Sequence, residues 1–376
     1  MTPIYAHDAS EALLTSSTTF KDTTMNTLFQ FSLHTLSALS LTVVLSACAT
    51  TTPKTESPAE DPPTPAPQVT APFSQFNQNN SDSTSASTSK SKTSLGTVVR
   101  DLNETGGLSL VLMNGLENIQ VSKEGTEGVA PKDSLEFLLR SYQLTRYSTD
   151  HYTFIYAPEY EVLTTLQLAK QLPKKYTQTR VDIAFGANTP LFSALALISH
   201  STGLTLLADQ AMGDSLCGEL NLLDTPLPLA LEALLQSARI QPDALKVRSS
   251  NDYIFLHSAA HPLRAKVQLA TISEAMKKEL QEKSSISLMV YTPAGNEVSS
   301  QLGSSKLNTV LSELSLQLGI SVKAEGKVNQ LPVNPMVMNN LPRETVLELF
   351  LHQWMLPIFA YEEQDGNIVL RHAGKE

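Results

Sequence analysis

The chain of 376 residues is 41% hydrophobic, 17% charged and only 6% aromatic, long enough for two or three domains at roughly 100–200 residues each. Its 27 basic and 37 acidic residues, a net charge of -10, oppose binding to a phosphate backbone, and its aromatics are too sparse for the girdles of a membrane barrel. Its two cysteines, Cys48 and Cys217, cannot staple a cystine-rich fold.

Residues 28–47 form the most apolar run, with Leu39, Leu41, Val43, Val44 and Leu45, and end in Leu45-Ser46-Ala47-Cys48. This run resembles a bacterial lipoprotein signal, whose final motif is Leu, a small residue, Ala or Gly, then Cys. The resemblance implies cleavage before Cys48 and lipidation of its thiol and new amino group, and stable anchoring does require more than one acyl chain. Ser32, His34, Thr35, Ser37, Ser40 and Thr42 interrupt the run and argue against a permanent membrane span. Before Leu28 the only cation is Lys21, beside Asp8, Glu11 and Asp22, and Met25 is a second candidate start. Ala49 and Thr50 follow the cysteine without an Asp, so the resemblance implies an outer-membrane anchor with the rest of the chain in the periplasm. Residues 1–47 are thus expected to be a signal sequence and 48–92 a lipidated tether, rich first in proline (Pro53, Pro58, Pro62, Pro63, Pro65, Pro67) and then in Ser, Thr and Asn. Such a composition buries too little apolar surface to offset its ordering entropy.

The remainder is repetitive. Leu95, Val98, Val99 and Leu102 stand at i, i+3, i+4 and i+7, as do Leu191, Ala194, Leu195 and Ile198, and Leu307, Val310, Leu311 and Leu314. Each set marks one face of an amphipathic helix. Gly107, Gly203 and Gly319 follow in register, suited to the left-handed turn that ends a helix. Each opens an alternating strand, Leu108–Leu110, Leu204–Leu206 and Ile320–Val322. Second helices follow with Leu135, Leu138, Leu139 and Tyr142, with Leu231, Leu234, Leu235 and Ala238, and with Leu347, Phe350, Leu351 and Trp354; Pro131, Pro226 and Pro342 stand near their starts. From helix to helix the first two sets are offset by 96 residues and the next two by 116, a repeat signature.

Two short strands around a polar turn close each set: Leu144–Tyr147 with Tyr152–Tyr156, Leu245–Arg248 with Tyr253–Leu256, and Ile358–Tyr361 with Asn367–Leu370 around Asp365-Gly366. Extended segments Arg180–Phe185 and Ser285–Tyr291 lead into the second and third sets, and none precedes the first. Spacers of helical character, with Leu166–Ala169 and Val267–Ala270 in register, lie between the sets and are expected to dock, because a unit of about 65 residues is marginal alone.

The expected fold class is therefore α+β: three tandem β-α-β-β-α-β(β) modules at 93–158, 180–258 and 285–372, each with two helices on short sheets, joined by spacers 159–179 and 259–284. Through Val181–Phe185, Thr189-Pro190-Leu191, His200–Leu204 and the Leu229–Leu235 helix, and again through Gln317–Ile320 and Gly366–Leu370, the unit resembles the short N-terminal domain of secretins and TonB-dependent receptors. The pore of the one family and the plug and barrel of the other are not recognisable here. The resemblance implies a non-enzymatic lipid-anchored adaptor, with a secretin-type secretion or pilus machine or a TonB-type uptake system as partner, contacted through an exposed edge strand.

No catalytic, metal or cofactor residue is expected. His-Glu-x-x-His, the phosphate-binding Gly-rich Lys-Ser/Thr loop and Gly-x-Ser-x-Gly do not occur. His257 and His261 have helical metal spacing but stand at a strand end beside Pro262 without a third ligand. His200 suits a helix C-terminus, and Asp133 and Glu136 suit the opening turn of a helix. Glu362-Glu363 and the pairs Lys174-Lys175 and Lys277-Lys278 read as solvated faces, Trp354 as core, and Cys217 as a half-buried apolar residue. Anchor and tether alone would also suit a cell-wall-associated binding protein or enzyme, or a passive spacer.

Overall fold

Leu95, Val98, Val99 and Leu102 are all buried, and the ten-residue helix that carries them begins where Ser94 accepts a hydrogen bond from the Thr97 amide at 3.1 Å. The computed structural model describes residues 92–122, 125–162, 168–260, 263, 268, 270–289, 291–293, 300–354 and 359–372. The signal sequence, Leu45, Ser46, Ala47, Cys48, the tether and His261 lie outside these residues. What is described is a mixed helix-and-strand, α+β architecture with several small sheets.

In chain order the first stretch comprises β1 (Lys92–Ser94), α1 (Leu95–Glu104), β2 (Leu110–Leu112), β3 (Gln120–Ser122), α2 (Pro131–Ser141), β4 (Thr145–Ser148) and β5 (Thr153–Tyr156). The short helices α3 (Leu168–Gln171) and α4 (Lys174–Thr177) follow. The second stretch comprises β6 (Arg180–Phe185), β7 (Thr189–Pro190), α5 (Leu191–Thr202), β8 (Leu206–Ala208), α6 (Gln210–Gly213), β9 (Leu216–Cys217), β10 (Leu220–Pro226), α7 (Leu227–Ser237), β11 (Leu245–Ser249) and β12 (Ile254–Ser258). After α8 (Glu274–Gln281), the third stretch comprises β13 (Lys283–Leu288), β14 (Tyr291–Pro293), β15 (Ser300–Leu302), β16 (Ser305–Lys306), α9 (Leu307–Leu318), β17 (Val322–Ala324), β18 (Pro332–Val333), β19 (Met336–Pro342), α10 (Arg343–His352), β20 (Phe359–Gln364) and β21 (Asn367–His372).

The pairings recur in register. β1–β3, β7–β9 and β16–β18 are antiparallel. β2–β5, β8–β12 and β17–β21 are parallel, with Leu110 opposite Thr153, Leu206 opposite Ile254 and Val322 opposite Ile368. β4–β5, β11–β12 and β20–β21 are antiparallel hairpins. Single hydrogen bonds repeat as well. The Leu95, Leu191 and Leu307 amides donate to Ile119, Ser215 and Leu331 at 2.8, 2.8 and 2.9 Å. The Met113, Asp209 and Glu325 amides donate to Ile155, Leu256 and Leu370 at 2.9, 2.9 and 3.0 Å.

A polar clamp repeats inside each first helix. The amide side chain of Asn103 accepts from the Leu110 N–H at 2.7 Å and donates to its C=O at 3.1 Å. The hydroxyl of Ser199 does the same for Leu206, accepting at 2.9 Å and donating at 3.2 Å; that of Ser315 accepts from the Val322 N–H at 2.9 Å and shares its proton between the Val322 carbonyl at 3.3 Å and, more closely, the Leu311 carbonyl of its own helix at 2.7 Å.

Gly203 and Gly319 end α5 and α9 in the left-handed conformation, at φ of 69° and 71°. Gly107 does not have this place, although its φ is 61°. α1 stops at Glu104, where the Thr105 amide donates back to Asp101 and Leu102. The next residue, Gly106, lies against Pro131 so closely that a Cβ there would be 2.9 Å from the ring. The described residues of the first spacer include the fully buried Leu168 and Tyr176. In the second spacer helicity comes later than expected: Gln268 makes an isolated parallel bridge to Tyr361, and α8 starts only where Ser273 accepts from the Met276 amide at 3.1 Å. The strand expected at Ser285–Tyr291 is β13, two residues earlier, followed by β14.

β2 also meets β10, with Val111 opposite Leu220, so a five-stranded sheet of order β4-β5-β2-β10-β6 runs through the first two stretches. The approach leaves no room at Gly218, where a Cβ would lie 1.9 Å from the Leu112 carbonyl oxygen. At Gly203 a Cβ would meet nothing within 4 Å and suffers only the left-handed backbone cost. Gly203→Ala is therefore expected to cost about 1 kcal/mol, and Gly218→Ala about 3 kcal/mol or more by forcing β2 from β10. Urea denaturation of the two variants side by side checks the order.

Candidate functional site

The best-defined polar geometry lies at two junctions, where the second stretch meets the first and the third meets the second. At both, the amide that follows the end of the β2-type strand donates to the last carbonyls of the following second helix: Asn114 to Ser237 at 2.8 Å and Gln210 to Gln353 at 2.7 Å. Asn114 and Gln210, and likewise Ser237 and Gln353, keep the offsets of 96 and 116 that relate the helices.

At the first junction Glu219 has a side chain only 7% exposed. It accepts from Arg100 Nε at 3.0 Å and Nη2 at 2.7 Å, and from the Ala187 amide at 3.2 Å. This pairing holds the Arg100 guanidinium pKa above its ordinary value. Arg100 is itself 49% exposed, so screening leaves the pair about 1 kcal/mol. Tyr160 adds a bond from its hydroxyl to the Ile240 carbonyl at 3.1 Å.

At the second junction Leu207, Tyr253 and Phe255, all of the second stretch, belong to the apolar core of the third. Asn339 of β19 accepts on its backbone nothing from this neighbour but donates three ways: its amide N–H to Thr205 Oγ1 at 2.9 Å, and its side chain to the Leu204 and Ser199 carbonyls at 3.0 and 3.4 Å. The Asn334 side chain donates to Asp214 at 3.3 Å, and burial raises the Asp214 pKa against that bond. Arg248 pairs with Glu348 at 2.9 Å. A cavity of about 10 Å³ lies in this seam, lined by Phe192, Leu195, Leu207, Phe255, Met336 and Leu349 among others. That volume holds at most one water and no substrate.

The residues considered for chemistry lie apart. Asp133 is in the first turn of α2, and Glu136 pairs with Arg146. Glu362 and Glu363 are engaged rather than solvated: Glu362 accepts from Arg371 at 2.8 Å, and Glu363 takes the Ser273 amide at 2.6 Å and hydroxyl at 2.9 Å, holding the start of α8. His200 is exposed in the last turn of α5, and His257 Nδ1 lies 3.2 Å from the Ser258 carbonyl. Among the described residues no group of three His, Cys, Asp or Glu side chains is placed to hold a metal ion. Lys174, Lys175, Lys277 and Lys278 are all exposed. Trp354 is core, edge-on to Phe350 at 5.3 Å, with its indole N–H donating to the Pro332 carbonyl at 2.5 Å. Gly203 and Gly319 are structural caps, as argued above.

The junction residues escaped the sequence reading because two of the key donors are backbone amides, which no side-chain motif announces. The signal that was there is the polar residue inside each apolar stripe, Asn103, Ser199 and Ser315, in register with the leucines. Among the described residues no helix is long and apolar enough to cross a membrane. Compared with known proteins, the chain matches no family model, no curated protein and no solved structure.

Cys217 corrects a sequence expectation: it is completely buried rather than half-buried, because β9 packs between β7 and α7. Burial pushes its thiol pKa up to about 12, against a smaller opposing effect of Ser237. At pH 8 the folded protein should therefore leave Cys217 unmodified by iodoacetamide over hours, and denaturant should expose it at once. Peptide mass spectrometry of labelled Cys217 before and after denaturation checks this.

Proposed function

We propose that the chain is a non-enzymatic, lipid-anchored periplasmic adaptor built of three tandem modules of the secretin/TonB short N-terminal type. In this reading residues 93–158, 180–258 and 285–372 are the modules and Cys48 carries the lipid. The observation that carries it is the recurrence of the polar residue in the first helix and of the bond across each junction at fixed offsets, and of the strand pairings in the same order. A chain that devotes its buried polar groups to positioning equivalent surfaces, with a seam cavity the size of a water, is suited to bind other proteins by its faces and edges. The resemblance supplies the class of partner, a secretin-type secretion or pilus machine or a TonB-type uptake system.

Two measurements test the reading. Metabolic labelling with palmitate should mark the wild-type chain and fail with Cys48→Ser, which should also shift the protein from the membrane to the soluble fraction. Crosslinking in intact envelopes, followed by affinity recovery, should enrich a secretin or a TonB-type receptor at least tenfold over a control lipoprotein. Recovery of cell-wall enzymes alone would overturn the adaptor reading.

A further inference from the structure

The junction between neighbouring stretches has two halves. The receiving half is the outer face of the first helix with the strand after it: Phe192, Leu195, Ala196 and Leu207 in the second stretch, each 8% exposed or less. The docking half is a long strand with the C-terminal end of the helix that follows it, β10 with α7 and β19 with α10. In the third stretch the receiving half is built alike. Ser315 accepts from the Val322 amide, Glu325 bonds Leu370, and the next amide is that of Gly326, in register with Asn114 and Gln210 but, unlike them, on a left-handed backbone. Yet Asn308, Ser312, Lys323, Gly326 and Lys327 are exposed there and Leu311 is only half-buried.

We infer that this face of α9 and β17 receives a further unit of the same design carried by a partner protein, docked as the third stretch docks on the second. The inference rests on the modular reading above. What argues for the occupant is continuity with the interface that the chain itself uses twice, where the receiving half is each time covered by a long strand and a helix end. A second copy of this chain fits poorly: β10 and β19 are already engaged, and in the first stretch residues 125–130, before α2, form turns rather than such a strand. Charge gives the partner's chemistry. Lys323 stands where Val111 and Leu207 are 0% and 5% exposed under the following stretch, and Lys327 is exposed beside it, whereas Glu325 is paired with Arg371 at 3.2 Å. Val111 lies opposite Leu220, so the partner's long strand should carry an Asp or Glu at the position corresponding to Leu220, much as Glu219 answers Arg100.

The experiment uses the full chain in its native envelope with the photo-crosslinking residue p-benzoylphenylalanine in place of Asn308. The expected product joins this position to a different protein, in a peptide from a unit with the helix–strand–strand–helix spacing seen here and an acid on its long strand. Lys323→Glu should lower the yield at least fivefold and Lys323→Arg should keep it. A product with another copy of this chain, with a protein lacking such a unit, or insensitive to Lys323→Glu overturns the inference, as does no product. A companion variant, Gln210→Cys with Gln353→Cys, should form a disulfide within one chain. If it forms while the crosslink fails, only this inference falls; if it does not form, the modular reading falls with it.

Discussion

One side chain that holds both the N–H and the C=O of a single strand residue decides how each helix lies on its sheet. Asn103, Ser199 and Ser315 sit on the inward side of their helices, and two of the three are almost fully buried. Each such bond contributes only about 1 kcal/mol, but losing the partner of a buried backbone group costs more than the bond returned, about 1 to 3 kcal/mol. The clamp therefore works less as a source of stability than as a constraint on register. A strand slipped by one residue would offer its apolar face to water and leave the backbone groups of Leu110, Leu206 or Val322 without the side chain they meet. With that residue held, the parallel pairing to β5, β12 or β21 follows, and the amide just beyond the strand is aimed at the next stretch.

The hydrophobic spacing made the helices and most strands legible, because the apolar stripes of α1, α5 and α9 are the same residues that the core buries. Two kinds of feature were not legible. Positions set by close approach, such as Gly106 against Pro131, depend on a neighbour distant in sequence, which is why α1 stops before Gly107 while α5 and α9 run to their glycines. Positions set by partners across a junction, such as Glu219 with Arg100 or Asn339 with the Leu204 carbonyl, show no local pattern at all. Glu363 is the same case: adjacent to Glu362 before a turn it resembles solvated charge, and only the fold brings Ser273 to it. The candidate site was therefore less readable than the fold, since it is made of contacts between stretches rather than of a motif within one.

The two junctions reach the same arrangement by different chemistry, and the difference follows from what each strand meets. In the first, β10 extends the sheet of β2, so backbone pairing and a tight glycine do most of the joining and a charged pair closes the rim. In the second, no such ladder forms; the side chain of Asn339 joins the stretches instead, donating to carbonyls at the end of α5 and in the turn after it, and Phe255 and Leu207 supply apolar area. Fully burying a side chain like that of Phe255 is worth about 2 to 3 kcal/mol, comparable with a few net hydrogen bonds. The shared term is the amide-to-helix-end bond, which is independent of side-chain identity and so is the same at both junctions although the side chains around it differ.

That independence bears on the outer face of the third stretch. On the proposed modular reading, a polar terminal face would serve to end an array, as terminal repeats commonly do, and Asn308, Ser312 and Lys323 are polar. Leu311, however, keeps an apolar side chain half-buried on this face, in register with the fully buried Val99 and Leu195. The first junction also shows that such a face tolerates charge, because Arg100, in register with Ser312, is matched by Glu219 rather than excluded. Polarity at this face is therefore compatible with the proposed docking, in which the sign of its charge would select the neighbour that fits.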